Sequence, residues 1–275
     1  MLADSSPEDL EIRLLLQGIQ ARYGYQFIDY AESSMRRRVR AALVRSGLPH
    51  FGELQHKILR DPSFFASILD DLTVRVSEVF RDPSFFRAFR ERVIPVLRTY
   101  PLLKIWHAGC ASGEEVYTTA ILLSEANLYE RAQIYATDMN PNALELARQG
   151  VYPEERALEF ERNYLESGGQ SRLDDYFSRA YGRIAVREGL RRNVFFFQHD
   201  LASDQALGEM HVVFCRNVLI YFGTELRERA LATFASCLQR SGFLCLGMNE
   251  GLSATAKAKF TDFAEAERIF RRRAE

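Results

Sequence analysis

From residue 102 onward, short apolar runs alternate with helical stretches, and this pattern constrains the fold more than any other feature of the chain. The first run, residues 102–107, is predicted to be a strand that leads through a glycine-containing loop into a helix from Glu114 to Ala126. Further strands are predicted at residues 133–137, 194–197, 211–215 and 243–247, with helices at residues 141–148 and 225–238. Such alternation is typical of parallel βαβ units. We therefore predict an α/β fold with a doubly wound sheet.

The first third of the chain has a different pattern, which is helical throughout. Ser6 followed by Pro7 and Glu8 is a typical helix start, because it supplies a cap, a proline and an acid in the first turn. Further helices are predicted from Ser33 to Gly47, at residues 51–60 and 62–72, and from Pro83 to just before Pro101. We predict a helical N-terminal domain at residues 1–90 and an α/β domain at residues 91–275.

One stretch interrupts the alternation of the α/β domain. Residues 151–192 lie between the second and third predicted strands, are rich in charge and carry Gly168 and Gly169. We interpret this stretch as an insertion. Within it, around residues 178–192, we expect a small β-hairpin from about Gly182 to Gly189.

Composition and charge exclude several classes of protein. With 36 basic and 37 acidic residues the net charge is −1, so no overall field attracts nucleic acid or anionic lipid. No window approaches the ~20 apolar residues of a membrane helix, and the first residues lack the pattern of a signal peptide. The four cysteines lie far apart, without histidines at ligand spacing, so we expect neither a metal site nor a disulfide framework. A soluble, cytoplasmic protein is expected.

The loop after the first predicted strand is a candidate ligand site. Gly109 and Gly113 lie four residues apart at the strand's carboxyl end, where open parallel sheets bind ligands. The loop lacks the Gly-Lys-Ser/Thr ending of a phosphate-binding loop and the G-x-G-x-x-G spacing of a dinucleotide site. Taken alone, it is equally consistent with a simple turn between a strand and a helix.

The second strand end favours a ligand over a simple turn. Asp138 follows the second strand directly, and a carboxylate at that position can accept hydrogen bonds from both hydroxyls of a ribose. Alternatively, Asp138 caps the helix that begins at Pro141, although Asn140 is also placed to do so. Together, the glycine loop, the acids Glu114 and Glu115, and Asp138 fit an adenosyl ligand without phosphates. This indicates S-adenosylmethionine.

Several segments resemble the chemotaxis receptor methyltransferases, the CheR family. They are residues 105–117 (IWHAGCASGEEVY), 136–138 (ATD), 214–222 (FCRNVLIYF), 80–83 (FRDP) and 246–250 (LGMNE). The resemblance covers roughly residues 10–270. It implies a helical N-terminal domain and a Rossmann-like, S-adenosylmethionine-dependent methyltransferase sheet with a small β insertion. It also implies a protein-glutamate O-methyltransferase that makes methyl esters of glutamates in methyl-accepting chemoreceptors.

The same resemblance implies a set of donor-binding residues. They fall on Arg75, Ser77, Arg81, Glu115, Asp138, Asp200, Leu201, Arg216 and Asn217. The family often has Asn-x-Thr where this chain has Arg75 and Ser77, so Arg75 is expected to pair with the methionyl carboxylate and Ser77 to keep the hydroxyl contact. Alternatively, residues 73–81 form an interdomain linker whose charges are solvated.

Methylation of a glutamate needs no general base, because a free glutamate is already ionised at neutral pH. Catalysis then depends on positioning and on the removal of water. We predict that Arg81 and Tyr221 are catalytic residues that orient the substrate, as the resemblance also implies. Alternatively, Tyr221 is a half-buried aromatic and Arg81 pairs only with Asp82. Cys110 and Cys215 are interpreted as small apolar fillers.

A cluster of arginines lies on one predicted helix of the N-terminal domain. Its members are Arg36, Arg37, Arg38 and Arg40, with Arg45 one turn later. They form either a solvated face or, as the resemblance suggests, a docking surface for the acidic cytoplasmic domain of a receptor. Nucleic acid is disfavoured because no aromatic stacking pattern accompanies the arginines.

A monomer is expected, and we do not expect the insertion to tether a receptor tail. A carboxyl methyltransferase of another substrate and a non-catalytic S-adenosylmethionine sensor remain the alternatives.

Overall fold

The computed structural model describes residues 6–74 and 77–274. Its first part is helical, with helix ends set by capping residues. The Ser6 hydroxyl accepts a hydrogen bond from the Asp9 N–H at 3.2 Å, and the Asp9 carboxylate accepts one from the Ser6 N–H at 3.3 Å. Asp61 caps a later helix by accepting hydrogen bonds from two main-chain N–H groups. The helices are α1 (Pro7–Tyr23), α2 (Glu32–Ser46), α3 (Phe51–Arg60) and α4 (Pro62–Leu72).

These four helices bury one apolar core. Ile12, Leu15 and Ile19 recur at helical spacing on the inner face of α1, and Met35 and Val39 do so on α2. All five side chains are buried. The amphipathic pattern of each helix therefore explains how this part of the chain packs.

The helix predicted to begin at Pro83 is interrupted. It consists of α5 (Pro83–Ala88), a π-helical segment (Phe89–Val93) and α6 (Ile94–Leu97). Pro95 has no N–H to donate to the main chain one turn earlier, which is a common cause of such an irregularity. The phenylalanines of α5 pack into the same core as the central sheet. The domain boundary at residue 90 stays a prediction.

The rest of the chain is built on a seven-stranded sheet. Its strands run in the order β6-β2-β1-β7-β8-β10-β9. The strands from β6 to β8 are parallel, and β10 is antiparallel to both of its neighbours. The ten strands of the described residues are β1 (Leu103–Ala108), β2 (Ala132–Asp138), β3 (Val151–Pro153), β4 (Phe177–Ala180), β5 (Arg183–Val186), β6 (Val194–Gln198), β7 (Met210–Cys215), β8 (Leu238–Leu246), β9 (Phe260–Ala264) and β10 (Ile269–Arg272).

The predicted α/β fold with a helical N-terminal part is confirmed. All five predicted strands belong to the parallel part of the sheet. The two C-terminal strands β9 and β10 were not predicted, and β8 begins five residues before the predicted start. The remaining helices are α7 (Glu114–Glu125), α8 (Pro141–Gln149), α9 (Ala157–Glu166), α10 (Thr224–Cys237) and α11 (Ala254–Lys257).

The insertion contains a small separate sheet of three antiparallel strands, in the order β3-β5-β4. Strands β4 and β5 form a hairpin whose two turn residues, Tyr181 and Gly182, have φ angles of 52° and 69°. Positive φ at both turn positions suits the right-handed twist of a hairpin. The hairpin ends at Val186, so Gly189 lies beyond it, in a short helical turn. None of the helices in the described ranges has the length and apolar character that crossing a membrane requires.

Candidate active site

A cleft lies beyond the carboxyl ends of β1, β2 and β7, where the strand order reverses and α/β sheets bind ligands. Its empty space, including the open mouth, is about 920 Å³. Nine of the predicted site residues line it: Ser77, Arg81, Glu115, Asp138, Asp200, Leu201, Arg216, Asn217 and Tyr221. Arg75 lies outside the described residues. The structure thus brings the nine together, while their individual roles stay predictions.

The glycine loop lets two parts of the main chain approach closely. Gly109 has a φ of 82°, and a Cβ there would lie 2.6 Å from Cγ2 of Val218. Gly113 has a φ of 88°, and its Cβ would lie 2.9 Å from Cβ of Ala147. Both positions therefore require glycine. The loop holds its shape because chain segments pack directly against it.

Asp138 fixes the same loop from the end of β2. Its Oδ2 accepts a hydrogen bond from the Ala111 N–H at 2.9 Å, and its Oδ1 accepts one from the Asn140 N–H at 2.9 Å. Burial raises the pKa of Asp138, and the nearby charge of Asp200 raises it further, whereas these hydrogen bonds act in the opposite direction. Asn140 is the residue that caps α8, by accepting hydrogen bonds from two main-chain N–H groups. The capping role considered for Asp138 therefore belongs to Asn140.

Arg216 is the centre of a buried charge network. Its Nη1 donates to Oε2 of Glu115 at 2.9 Å, and its Nη2 donates to Oδ2 of Asp82 at 2.7 Å. The other carboxylate oxygen of Glu115 lies 3.0 Å from Nδ1 of His107. Burial acts to raise the pKa of Glu115, but the hydrogen bond from His107 and the charge of Arg216 outweigh burial and lower it. Glu115 is thus held ionised at the cleft wall.

Strained main chain surrounds Arg81. Phe80 and Asp82 have φ angles of 54° and 58°, a region that side chains larger than glycine rarely occupy. The Phe80 N–H donates to Oγ1 of Thr118 at 2.9 Å, and the Phe80 ring is fully buried. These contacts stabilise the strained main-chain conformation. Asp82 pairs with Arg216. The alternative from the sequence, that Arg81 pairs only with Asp82, is therefore not the pairing that the structure shows.

The structure corrects the prediction that Arg38 belongs to an exposed arginine cluster. Arg38 is 6% exposed and lines the cleft, with its guanidinium 4.4 Å from the ring centroid of Tyr221. Its Nη1 donates to the Leu72 carbonyl at 2.9 Å, whereas its Nη2 is buried and meets no acceptor within the described part of the chain. Arg38 therefore cannot belong to an exposed docking surface. Its spacing of three from Met35 and four from Ala42, both buried, was the available signal.

Glu250 is a further site residue for which sequence reasoning gave no role. It is 3% exposed and accepts hydrogen bonds from the N–H groups of Asn217 at 2.9 Å, Ile220 at 3.2 Å and Gly247 at 2.6 Å. Asn217 has a φ of 60°, so this loop also carries strain. Glu250 holds the loop that presents Asn217 and Tyr221 to the cleft. Sequence reasoning also missed the cleft residues Tyr30, Thr73 and Met139.

The cleft suits S-adenosylmethionine chemically. The carboxylates of Asp138 and Asp200 can accept the ribose hydroxyls, and the ionised Glu115 can accept the donor's ammonium group. Nε of Arg216 is buried and meets no acceptor among the residues described. The described residues hold no cluster of three or more metal-ligating side chains. All four cysteines are buried, and burial raises the pKa of the Cys110 and Cys215 thiols well above the usual range.

Comparisons with known proteins identify the family. The family described as CheR methyltransferase, SAM binding domain, matches residues 75–269, and the CheR methyltransferase all-alpha domain matches residues 10–73. "Putative methyltransferase Cher3" of Pseudomonas putida is 44% identical, over 96% of this chain and 97% of that protein. A "Chemotaxis protein methyltransferase" of Listeria monocytogenes is 29% identical, over 80% and 82% of the two chains.

Among solved structures, the N-methyltransferase NodS of Bradyrhizobium japonicum in complex with S-adenosylhomocysteine is 14% identical. The match covers 82% of this chain and 98% of that one, with a TM-score of 0.39. The family assignment rests on the two domain matches, which together span most of the sequence. The chain therefore belongs to the CheR family of S-adenosylmethionine-dependent methyltransferases.

Proposed function

We propose that this methyltransferase acts in chemotaxis, as a protein-glutamate O-methyltransferase that forms methyl esters on glutamates of methyl-accepting chemoreceptors. The observation that carries the proposal is the cationic wall of the donor cleft, where Arg38 lies against Tyr221 and Arg81 lines the same space. A negatively charged acceptor such as a glutamate carboxylate fits this wall. The names of relatives that are called chemotaxis protein methyltransferases support the same assignment.

Arg38 gives the wall its affinity for a carboxylate. Its guanidinium is held by the Leu72 carbonyl and the Tyr221 ring, while Nη2 stays buried without an acceptor in the described residues. A buried donor without a partner is costly, and a charged partner relieves that cost. We propose that a substrate carboxylate binds at this wall, beside the Arg38 guanidinium and the Tyr221 side chain. We propose that Tyr221 and Arg81 complete its orientation.

The reaction requires the protein mainly to orient the substrate and to exclude water. S-adenosylmethionine supplies an electrophilic methyl group, and the glutamate is already ionised at neutral pH. The residues of the chain hold the carboxylate in line and remove the water that would solvate it. The raised pKa values of the buried thiols are consistent with cysteines that take no part.

We propose that the helical domain, residues 1–90, docks the receptor through the exposed arginines of α2. Arg37 is exposed and lines a shallow depression with Arg36 and Arg40. Arg36 pairs with Asp9 at 2.5 Å, and Arg40 pairs with Glu8 at 2.5 Å, so Arg37 is the least engaged of the three. We propose that the enzyme works as a monomer in the cytoplasm, where receptor cytoplasmic domains are accessible.

The test is methylation of purified receptor cytoplasmic domains with S-adenosylmethionine labelled in its methyl group. We expect label that stays with the receptor protein and is released by mild base, as a methyl ester requires. Label on a small carboxylic acid and not on receptors would favour the first alternative. Donor binding without turnover on any acceptor would favour a sensor.

A further inference from the structure

The main chain of residues 77–82 crosses the wall of the donor cleft without regular secondary structure, and it presents Ser77 and Arg81 to that cleft. A segment of this kind keeps its place only where other elements hold its peptide groups. Two of those holding side chains come from the insertion. They are Arg156, at the start of α9, and Asn163, within it.

Arg156 joins three parts of the molecule. Its Nη2 donates to the Ser77 carbonyl at 2.6 Å, and its Nη1 donates to Oε1 of Glu114 at 2.9 Å. Glu114 lies in the first turn of α7, directly before Glu115, and Ser112 of the glycine loop donates to its other oxygen at 2.7 Å. Arg156 therefore ties the Ser77 segment to the helix that begins at the glycine loop.

Asn163 holds the same segment two residues further on. Its Nδ2 donates to the Val79 carbonyl at 3.3 Å. Asn163 lies seven positions after Arg156, which places both on one side of the helix. Phe160, between them in sequence, has its ring 4.7 Å from the Arg156 guanidinium, and Tyr164 packs edge-on against Phe80 at 5.3 Å. One face of α9 thus holds residues 77–82 in place through both polar and aromatic contacts.

We propose that Arg156 and Asn163 are positioning residues for S-adenosylmethionine, because they fix the main chain that carries Ser77 and Arg81 along the donor cleft. The insertion then forms part of the donor site in addition to carrying its own small sheet. This inference concerns donor binding alone and does not depend on the identity of the methyl acceptor.

The experiment measures S-adenosylhomocysteine binding by titration calorimetry, with thermal unfolding of the free proteins in parallel. Arg156→Gln should weaken binding about tenfold, because the segment loses its tie to Glu114. Arg156→Lys keeps a cation but cannot bridge the Ser77 carbonyl and the Glu114 carboxylate as the guanidinium does. Its loss of S-adenosylhomocysteine affinity should therefore be intermediate. Asn163→Ala should also weaken binding. Arg162→Gln is the matched control, because Arg162 is exposed on the same helix and should bind as the unmodified protein does.

A purely structural role predicts a different pattern. It would lower the unfolding temperature of Arg156→Gln and leave the Kd of the folded protein unchanged, and that result would overturn the proposal. Equal weakening by Arg162→Gln would also overturn it. If Arg156→Gln does not fold, Arg156→Lys decides: a weaker Kd supports positioning, whereas an unchanged Kd, or failure of both variants to fold, rejects it.

Discussion

Asp138 combines two tasks at the end of β2. Its oxygens hold the Ala111 and Asn140 N–H groups, and it lines the donor cleft. Because burial raises its pKa, protonation should begin at a higher pH than for an exposed aspartate. A protonated carboxyl accepts hydrogen bonds less well than a carboxylate. The role of this residue is therefore open to test by both mutation and pH.

We expect Asp138→Asn to weaken S-adenosylhomocysteine binding by about 1.5–3 kcal/mol, since a charge-assisted contact is lost. In the unmodified protein, affinity should fall as the pH drops through the raised pKa of Asp138, and in Asp138→Asn this dependence should flatten. Titration calorimetry between neutral pH and about pH 5 measures both effects. Asp262→Asn, an exposed change on β9, is the control. An unchanged Kd in folded Asp138→Asn would disprove the ribose assignment.

Tyr221 is expected to act in turnover and not in donor binding. Tyr221→Phe keeps the ring that lies beside Arg38 and removes only the hydroxyl, so the unfolding temperature should not change. We expect kcat for receptor methylation to fall about ten- to a hundredfold with an unchanged donor Kd, as for an interaction made mainly in the transition state. Arg38→Gln should instead raise the receptor KM. If Tyr221→Phe has the same kcat as the unmodified enzyme, the predicted catalytic role is wrong and Tyr221 contributes only packing.

Among the elements, α2 serves two surfaces at once. Arg38 faces the cleft, whereas Arg37 faces outward. Sequence reasoning grouped these arginines because they are neighbours, although successive residues of a helix point in different directions. The burial of Arg38 depends on contacts with Leu72 and Tyr221, which lie far away in the sequence. A local pattern cannot reveal such contacts.

Arg37 provides the test of docking through α2. Arg37→Glu should raise the receptor KM severalfold and flatten the salt dependence of methylation, because exposed charges act mainly through screened attraction. Donor affinity should not change, since Arg37 does not line the cleft. Arg162→Glu makes the same charge change on α9 and is the control. KM values and salt slopes equal to those of the unmodified enzyme would exclude docking through this arginine.

The strands differed in how well the sequence predicted them. The parallel strands β1, β2 and β7 were predicted because each contains a short apolar run, most of whose side chains are buried. The C-terminal strands β9 and β10 were missed because they are short and carry polar residues such as Asp262 and Arg271. β9 pairs with β10, the next strand in sequence, and β10 pairs also with β8, a pairing that periodicity does not show. Several cleft residues at strand ends, such as Asp138 and Arg216, were predicted, although Met139 and His199 were not. Tyr30 and Thr73 reach the cleft only through tertiary packing.

The donor cleft joins the helical part of the chain to the sheet. Tyr30, Arg38 and Thr73 line it from one side, and Asp138 and Arg216 line it from the other. Further contacts connect the same parts: the Ala31 N–H donates to the Tyr221 carbonyl at 2.8 Å, and Nδ2 of Asn140 donates to Oγ1 of Thr73 at 2.8 Å. A ligand in the cleft therefore contacts surfaces from both parts.

This arrangement predicts how the protein unfolds when the donor product is bound. S-adenosylhomocysteine at about 100 times its Kd should stabilise the folded state by about 2.7 kcal/mol. Because the cleft is lined from both parts, they should unfold in one transition that moves to higher temperature with ligand. Asp138→Asn should show a smaller shift at the same ligand concentration. Calorimetry that resolves two transitions, only one of which responds to the ligand, would show that the helical part does not contribute to donor binding.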